Sequence, residues 1–279
     1  MTEVVNRVPN IKLNNGVEIP QFGFGVFQVD PGETAKVVLD AFEAGYRHID
    51  TAQMYKNEEG VGKAIAESGL PRDEVFVTTK LNNDGHGTDS AVRELEKSLT
   101  RLGLDHVDLY LIHWPQPKQD LYVQTWQGFE QALASGLTRS IGVSNFQAAH
   151  LDRLAAETQT VPAVNQIELH PTLTQRELRE YHNTHGIATE AWSPIGQGES
   201  LSEEAVVALA EKYGRTPAQV VLRWHIQVGN IVFPKSSNPG RIAENIDIFD
   251  FELADDDVAT IEALDAGNRR GPNPDTFGN

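Results

Sequence analysis

The stretch Phe22-Gly23-Phe24-Gly25-Val26-Phe27, FGFGVF (22–27), decides between two folds that share one alternating pattern. It is a short apolar run of strand length, and its glycines suit either a dinucleotide-binding turn or the first strand of a closed barrel. A Rossmann unit would want a third glycine opening the following helix and an acidic residue about twenty positions on. Neither follows this run. The barrel is therefore the expectation, and the rest of the chain is read against it.

Seven further apolar runs follow at regular intervals: YRHID (46–50), VFVTTK (75–80), VDLYLIH (107–113), RSIGVS (139–144), PAVNQIEL (162–169), IATEAW (187–192) and NIVFPK (230–235). Amphipathic segments lie between nearly every pair. The segment at 33–45 has apolar residues at helical spacing and ends on Gly45, and the one at 88–103 opens with Thr, Asp and Ser as cap candidates and stops at Gly103. Thr216-Pro217 opens a helix with proline in its first turn, where the missing N–H is harmless. Eight βα repeats predict an α/β chain folded as a (β/α)8 TIM barrel. Helical patterns at 203–213 and 216–227 both fall between the seventh and eighth strands, which predicts extra helices near the C-terminus. Upstream, IKLNNGVEIP (11–20) carries an Asn-Gly hairpin signal, expected to cap the barrel bottom. No linker or low-complexity segment divides the chain, so residues 1–279 are expected to form a single barrel domain. The polar tail GNRRGPNPDTFGN (267–279) is expected to wrap the surface or cap one face.

Composition narrows the function. At 279 residues and 39% hydrophobic, the chain can build a large core. There is no signal-like start and no membrane-length apolar stretch, which predicts a cytoplasmic protein without a membrane partner. A net charge of −17 disfavours nucleic acid as a partner, and zero cysteines remove disulfides and thiolate chemistry. A local basic cluster on so acidic a chain would mark an anionic ligand.

Barrel active sites lie at the C-terminal ends of the strands. Asp50 leaves the second strand, Lys80 the third and His113 the fourth, while Tyr55 lies just past the second. Taken singly, each has a bland reading as a cap, a snorkelling cation, a core histidine or a packed aromatic. Together they place four proton-handling groups on one face of one barrel. An inward Lys80 demands a carboxylate, since an uncompensated buried charge is strongly unfavourable, and Asp50 on the adjacent strand is the natural partner. The cation should lower the Tyr55 pKa from about 10 and make it a general acid. His113 can orient the oxygen that takes the proton. A metal hydrolase built on His48 and Asp50 would need further ligands from other strands, and Lys80 would repel the ion, so no metal is expected.

The segments GYRHIDTAQMYKNEEGVGKAI, VTTKL, VDLYLIHWP, RSIGVSNF, NQIELHP and VFPKSS, in this order and spacing, resemble the signature segments of the aldo-keto reductase family. The resemblance runs from the hairpin to the final helix and is strongest to the bacterial 2,5-diketo-D-gluconate reductases. It implies an NADP-dependent enzyme that reduces aldehydes, ketones, dicarbonyls or keto-sugars to alcohols with NADPH. Tyr55 would be the proton donor, Asp50 and Lys80 its tuning pair, and His113 the carbonyl-orienting group. Trp192 would stack on the nicotinamide, with Ser144, Asn145 and Gln166 around its carboxamide. The following loop, with Ser193, Pro194, Gly196, Gln197 and Gly198, would let backbone amides approach the pyrophosphate.

After the eighth strand, Lys235, Ser236 and Arg241 surround a helix start, an arrangement suited to a phosphate and, on this acidic chain, to the 2′-phosphate of NADPH. Phe233 and Ser237 lie within the same matched segment, and Glu244 and Asn245 resemble adenine contacts. The alternative for Arg241 is a surface ion pair with Glu244. Phe27, Gln53, Asn82 and Trp114 are expected to line the substrate pocket. Asn82 stands where many relatives have a tryptophan, which opens and polarises that side. A small-molecule carbonyl substrate and a monomer complete the expectation; a non-catalytic NADP-binding module is the alternative from another class.

Overall fold

A computed structural model describes residues 8–278; residues 1–7 and 279, included in the expected domain, lie outside the described residues. A hairpin of β1 (Asn10–Lys12) and β2 (Glu18–Pro20) precedes the sheet. Eight parallel strands follow: β3 (Phe24–Gly25), β4 (His48–Asp50), β5 (Phe76–Leu81), β6 (Val107–Ile112), β7 (Thr138–Ser144), β8 (Val164–Glu168), β9 (Ala188–Trp192) and β10 (Ile231–Val232). They pair in chain order from β3 to β10. A parallel bridge between Phe22 and Val232 joins the two ends, with Gly23 N donating to Val232 O at 2.7 Å. The expected (β/α)8 barrel is the observed one, with most strands shorter than their apolar runs, while β5 matches its run in length and β7 exceeds its run by one residue.

The helices begin and end where backbone chemistry dictates. α1 (Thr34–Ala44) stops at Gly45, whose φ of 104° is accessible to glycine at little penalty. α2 (Glu58–Glu67) follows β4, and α3 (Thr88–Leu102) follows β5 and is capped by Gly87. The Thr-Asp-Ser cap candidates therefore sit inside the first turn of α3. α4 (Tyr122–Ala134), α5 (Ala148–Glu157) and α6 (Arg176–His185) follow β6, β7 and β8. α7 (Glu204–Tyr213) and α8 (Pro217–Gln227) both precede β10, and Thr216 and Gln219 form a reciprocal capping box on α8. α9 (Pro239–Ile246) and α10 (Asp255–Glu262) complete the chain.

Period-two alternation in the strands separates two apolar clusters. Outward residues such as Tyr110, Ile112, Val77 and Ile167 pack under the helices. Inward residues Phe76, Leu109, Leu111, Val164 and Ile231 form the lower barrel interior together with Leu13 and Ile19 of the hairpin. Leu13 and Ile19 thus plug the bottom of the barrel, as expected. The interior changes character upward along the strands, from these apolar residues to Asp50, Lys80, Gln166 and Glu190, all buried. The hydrophobic floor leaves polar chemistry to the C-terminal face.

Candidate active site

Four elements bring the site together. Asp50 ends β4 and Lys80 lies in β5, two adjacent parallel strands in which Asp50 pairs with Thr78, so Lys80 lies one inward position further along the same face. After Asp50 the chain makes a 3-10 turn over Gln53–Tyr55 and reverses at Lys56, whose φ is 56°. That loop is held by Asn57, which accepts from Thr51 Oγ1 at 2.8 Å and donates to Val26 O at 2.9 Å. The turn aims the Tyr55 hydroxyl back over the strand ends. His113, one residue past β6, faces it with ring centroids 6.0 Å apart.

Lys80 is fully buried, and all three of its N–H donors are used. They go to Asp50 Oδ1 at 2.6 Å, Thr51 O at 2.9 Å and Tyr55 Oη at 3.4 Å. Asp50 Oδ2 accepts from Gln166 Nε2 at 2.9 Å, so both carboxylate oxygens are satisfied. The ion pair expected from neighbouring strands is present, and Tyr55 hangs from its cation.

Protonation follows from burial and these contacts. Burial works against the charged form of Lys80, but the Asp50 carboxylate and the Tyr55 oxygen outweigh it and hold its pKa above the ordinary value. Burial also pushes the Asp50 carboxyl up, against the pull of Lys80 and Gln166. Tyr55 corrects an expectation. Its pKa is raised, not lowered, because burying a phenolate outweighs the pull of Lys80 and the Asp50 charge adds to the rise. A cation already matched by a carboxylate at 2.6 Å has little left for a phenol at 3.4 Å. Tyr55 therefore rests fully protonated at neutral pH. Burial and the charge of Lys80 together drive His113 down to about 3, so its imidazole is neutral.

Of the expected cofactor residues, Ser144, Asn145, Gln166 and Trp192 are joined by hydrogen bonds. Ser144 Oγ donates to Gln166 O at 2.8 Å, and Asn145 Nδ2 donates to His113 O and Ser144 Oγ at 3.0 Å each. Trp192 Nε1 donates to Asn145 Oδ1 at 2.8 Å, which sets the indole at the mouth of the barrel. In the 193–198 loop, Ser193, Gly196, Gln197 and Gly198 all have positive φ, a run of tight turns beside Pro194 closed by Gly196 N donating to Ser193 O at 2.8 Å and Gly198 N to Ile195 O at 2.9 Å. Lys235, Ser237 and Arg241 are exposed around the start of α9, where Asn238 accepts from Arg241 N and Arg241 Nε reaches Ser236 Oγ at 3.4 Å. Among the described residues neither Lys235 nor Arg241 makes an ion pair, so the Arg241–Glu244 alternative is not what the structure contains. Glu244 instead accepts from Thr216 Oγ1 at 2.8 Å beside buried Asn245. Phe233 is buried, its ring 6.4 Å from that of His48.

Of the expected pocket residues, Phe27 is 48% exposed and its ring lies 5.1 Å from that of Tyr55. Trp114 is buried against Phe277 of the tail at 4.4 Å. Asn82 is half-buried and donates to Asp84. Gln53 is tied up: its amide donates to Glu94 O and Ser98 Oγ and accepts from Asn82 N, so it fastens the loop after β5 to α3.

Two features were not read from the sequence. Glu190, in the middle of β9, is fully buried and accepts from Gln166 Nε2 at 2.8 Å. Its signal was a glutamate on the same face as Trp192 in a run otherwise read as apolar. The contacts that seat the tail are the other. Glu168 accepts from Arg270 N at 2.6 Å and Gly271 N at 2.9 Å, Arg270 pairs with Glu199, and a Cβ on Gly271 would meet the Trp192 ring at 2.4 Å. The tail therefore caps the C-terminal face, the second of the two expected placements.

Known proteins resemble this chain in sequence and fold along most of its length. The family model described as "Aldo/keto reductase family" matches residues 21–266. An aldo-keto reductase of Mycolicibacterium smegmatis is 54% identical over 96% of this chain and 98% of its own. The methylglyoxal reductase DkgA of Yersinia pestis is 53% identical over 97% of this chain and 98% of its own. Among solved structures, a Gox0644 variant in complex with NADPH superposes with a TM-score of 0.93 at 50% identity, covering 96% of this chain and 98% of that one.

The protonation pattern is open to measurement. His113 should show no imidazole titration between pH 5 and 9 by NMR, because its pKa is near 3. A titration near 6.5, the ordinary histidine value, would contradict the burial argument.

Proposed function

This chain belongs to the aldo/keto reductase family, and from that premise we propose that it reduces the carbonyl group of aldehydes, ketones, dicarbonyls or keto-sugars with NADPH. The observation that carries the reading is the Asp50–Lys80–Tyr55 chain, which ends in a protonated phenol beside a neutral imidazole. Such a site protonates an oxygen as it acquires negative charge.

The residues fit the cofactor. Trp192 offers an indole face beside the tightly turned 193–198 loop, and Lys235 and Arg241 offer charges unmatched by any ion pair among the described residues. On a chain of net charge −17, that pair favours a ligand with an additional phosphate, hence NADPH over NADH. When bound, the nicotinamide supplies a hydride to the carbonyl carbon. Tyr55 gives its hydroxyl proton to the carbonyl oxygen, so that one C–H and one O–H bond form. The Lys80 ammonium balances the resulting phenolate, and Asp50 keeps that ammonium charged and in place. His113 donates a hydrogen bond to the same oxygen from a neutral ring, so it adds no charge that would compete with Lys80.

Phe27, Trp114 and the tail residue Phe277 give the substrate side aromatic walls, and Asn82 gives it a polar edge. This mixed lining, together with a relative named methylglyoxal reductase, supports small carbonyls carrying a second polar oxygen as the substrate class. The same reading takes residues 1–279 as one domain and the enzyme as a cytoplasmic monomer.

Tyr55→Phe should lower kcat by three orders of magnitude or more, the upper range for losing a general acid of about 10²–10⁴. NADPH binding, measured by fluorescence titration, should stay within about twofold. Retained turnover of methylglyoxal and keto-sugars would refute the mechanism. For the cofactor, Lys235→Gly combined with Arg241→Ala should raise KM for NADPH by at least tenfold while leaving KM for NADH nearly unchanged. Equal effects on both cofactors would refute the 2′-phosphate assignment.

A further inference from the structure

We propose that Glu190 is a positioning residue that locks the Gln166 amide so that Gln166 Oε1 is presented to the carboxamide NH2 of the bound nicotinamide. The proposal rests on the cofactor reading above and concerns a residue which that reading leaves without a task.

The register supplies the contact. β8 and β9 pair with Gln166 directly opposite Glu190, so the two side chains share one face of neighbouring strands inside the barrel. Gln166 Nε2 carries two hydrogens, and both are committed. One goes to Asp50 Oδ2 at 2.9 Å, the other to Glu190 Oε2 at 2.8 Å. Turning the amide over would aim its carbonyl oxygen at the Asp50 carboxylate and forfeit the N–H donation to both acids. The NH2 group is thus held inward by chemistry, and the oxygen is held outward.

That oxygen is the group left over. Among the described residues Gln166 Oε1 accepts no hydrogen bond. Its hydrogen-bonded neighbours are occupied: Asn145 spends both N–H donors on His113 O and Ser144 Oγ and accepts from Trp192, and Ser144 donates to Gln166 O. Among Ser144, Asn145 and Gln166, Gln166 therefore offers a side-chain acceptor without a partner among the described residues, and a carboxamide NH2 is the donor it suits.

A packing role accounts poorly for Glu190. It is wholly buried, and its second oxygen, Oε1, has no partner among the described residues. An apolar side chain of similar size would fill the space without a desolvated oxygen. The charged groups nearest to it are Asp50 and Lys80, and the β10 residues Ile231 and Val232 on its other side carry no charge. Burial and repulsion from Asp50 push its carboxyl up to about 8. At neutral pH it can accept from Gln166 without adding a second anion to the Asp50–Lys80 pair. A glutamine in its place would keep the acceptor; a methionine would remove it and free the amide to rotate.

The test is NADPH affinity by fluorescence titration in wild type, Glu190→Gln, Glu190→Met, Gln166→Met and the Glu190→Met/Gln166→Met double variant. Glu190→Met should weaken binding about tenfold, the scale of one lost buried hydrogen bond and a released side chain. Glu190→Gln should remain within twofold of wild type. In the Gln166→Met background, Glu190→Met should add nothing, because both act through one amide. Wild-type affinity in Glu190→Met, an equal loss in both backgrounds, or no rescue by Gln would overturn the proposal. Glu190→Leu takes the place of the Met variant should that one fail to fold. Failure of wild type itself to bind NADPH would instead overturn the cofactor reading.

Discussion

Lys80 and Asp50 are two charges removed from water at the centre of a barrel, and the upper half of the molecule is arranged around that fact. Leaving either without the other would cost about 3–5 kcal/mol, so the pair constrains its surroundings tightly. The neighbouring strands β4 and β5 set the 2.6 Å contact, Gln166 from across the barrel satisfies the second carboxylate oxygen, and the turn after β4 brings Thr51 O and Tyr55 Oη to the remaining ammonium donors. Tyr55 is therefore placed by the satisfaction of a buried cation. The proposed catalytic geometry and the electrostatics of the core are one arrangement.

The barrel divides its labour along the strand axis. At the bottom, Leu13 and Ile19 of the hairpin meet apolar residues from β5, β6, β8 and β10. At the top, acids, amides and aromatic rings line the interior, and the tail closes over them through Glu168 and the Trp192 face. The outer surface carries the excess negative charge. Lys235 and Arg241 stand exposed beyond β10, where an anionic ligand would meet cations that no carboxylate among the described residues has claimed.

Much of this was legible in the sequence because it is encoded by spacing. Eight apolar runs set the barrel, Gly45 and Gly103 ended their helices, and the residues leaving the second to fourth strands brought Asp50, Lys80 and His113 to one face. What was hidden depends on contacts between distant segments. Glu190 lies inside a strand, out of sight of a reading confined to strand ends, and its meaning comes from facing Gln166. Gln53 reads as a pocket residue until Glu94, Ser98 and Asn82 are seen to occupy its amide. The Tyr55 pKa went the wrong way because the cation was weighed without its partner and without the cost of burying a phenolate. The tail offers no periodicity, so its seat on the C-terminal face emerges only from Glu168 and Trp114.

The central claim is that Asp50 acts through Lys80, and Lys80 through Tyr55. Single-turnover reduction rates with NADPH in Asp50→Asn, Lys80→Met and the double variant measure that dependence directly. The account predicts a large loss in each single variant and a double variant no slower than Lys80→Met, since an unpaired buried Asp50 has nothing left to support. Losses that multiply in the double variant would show two independent groups, and the ion pair would no longer explain the site.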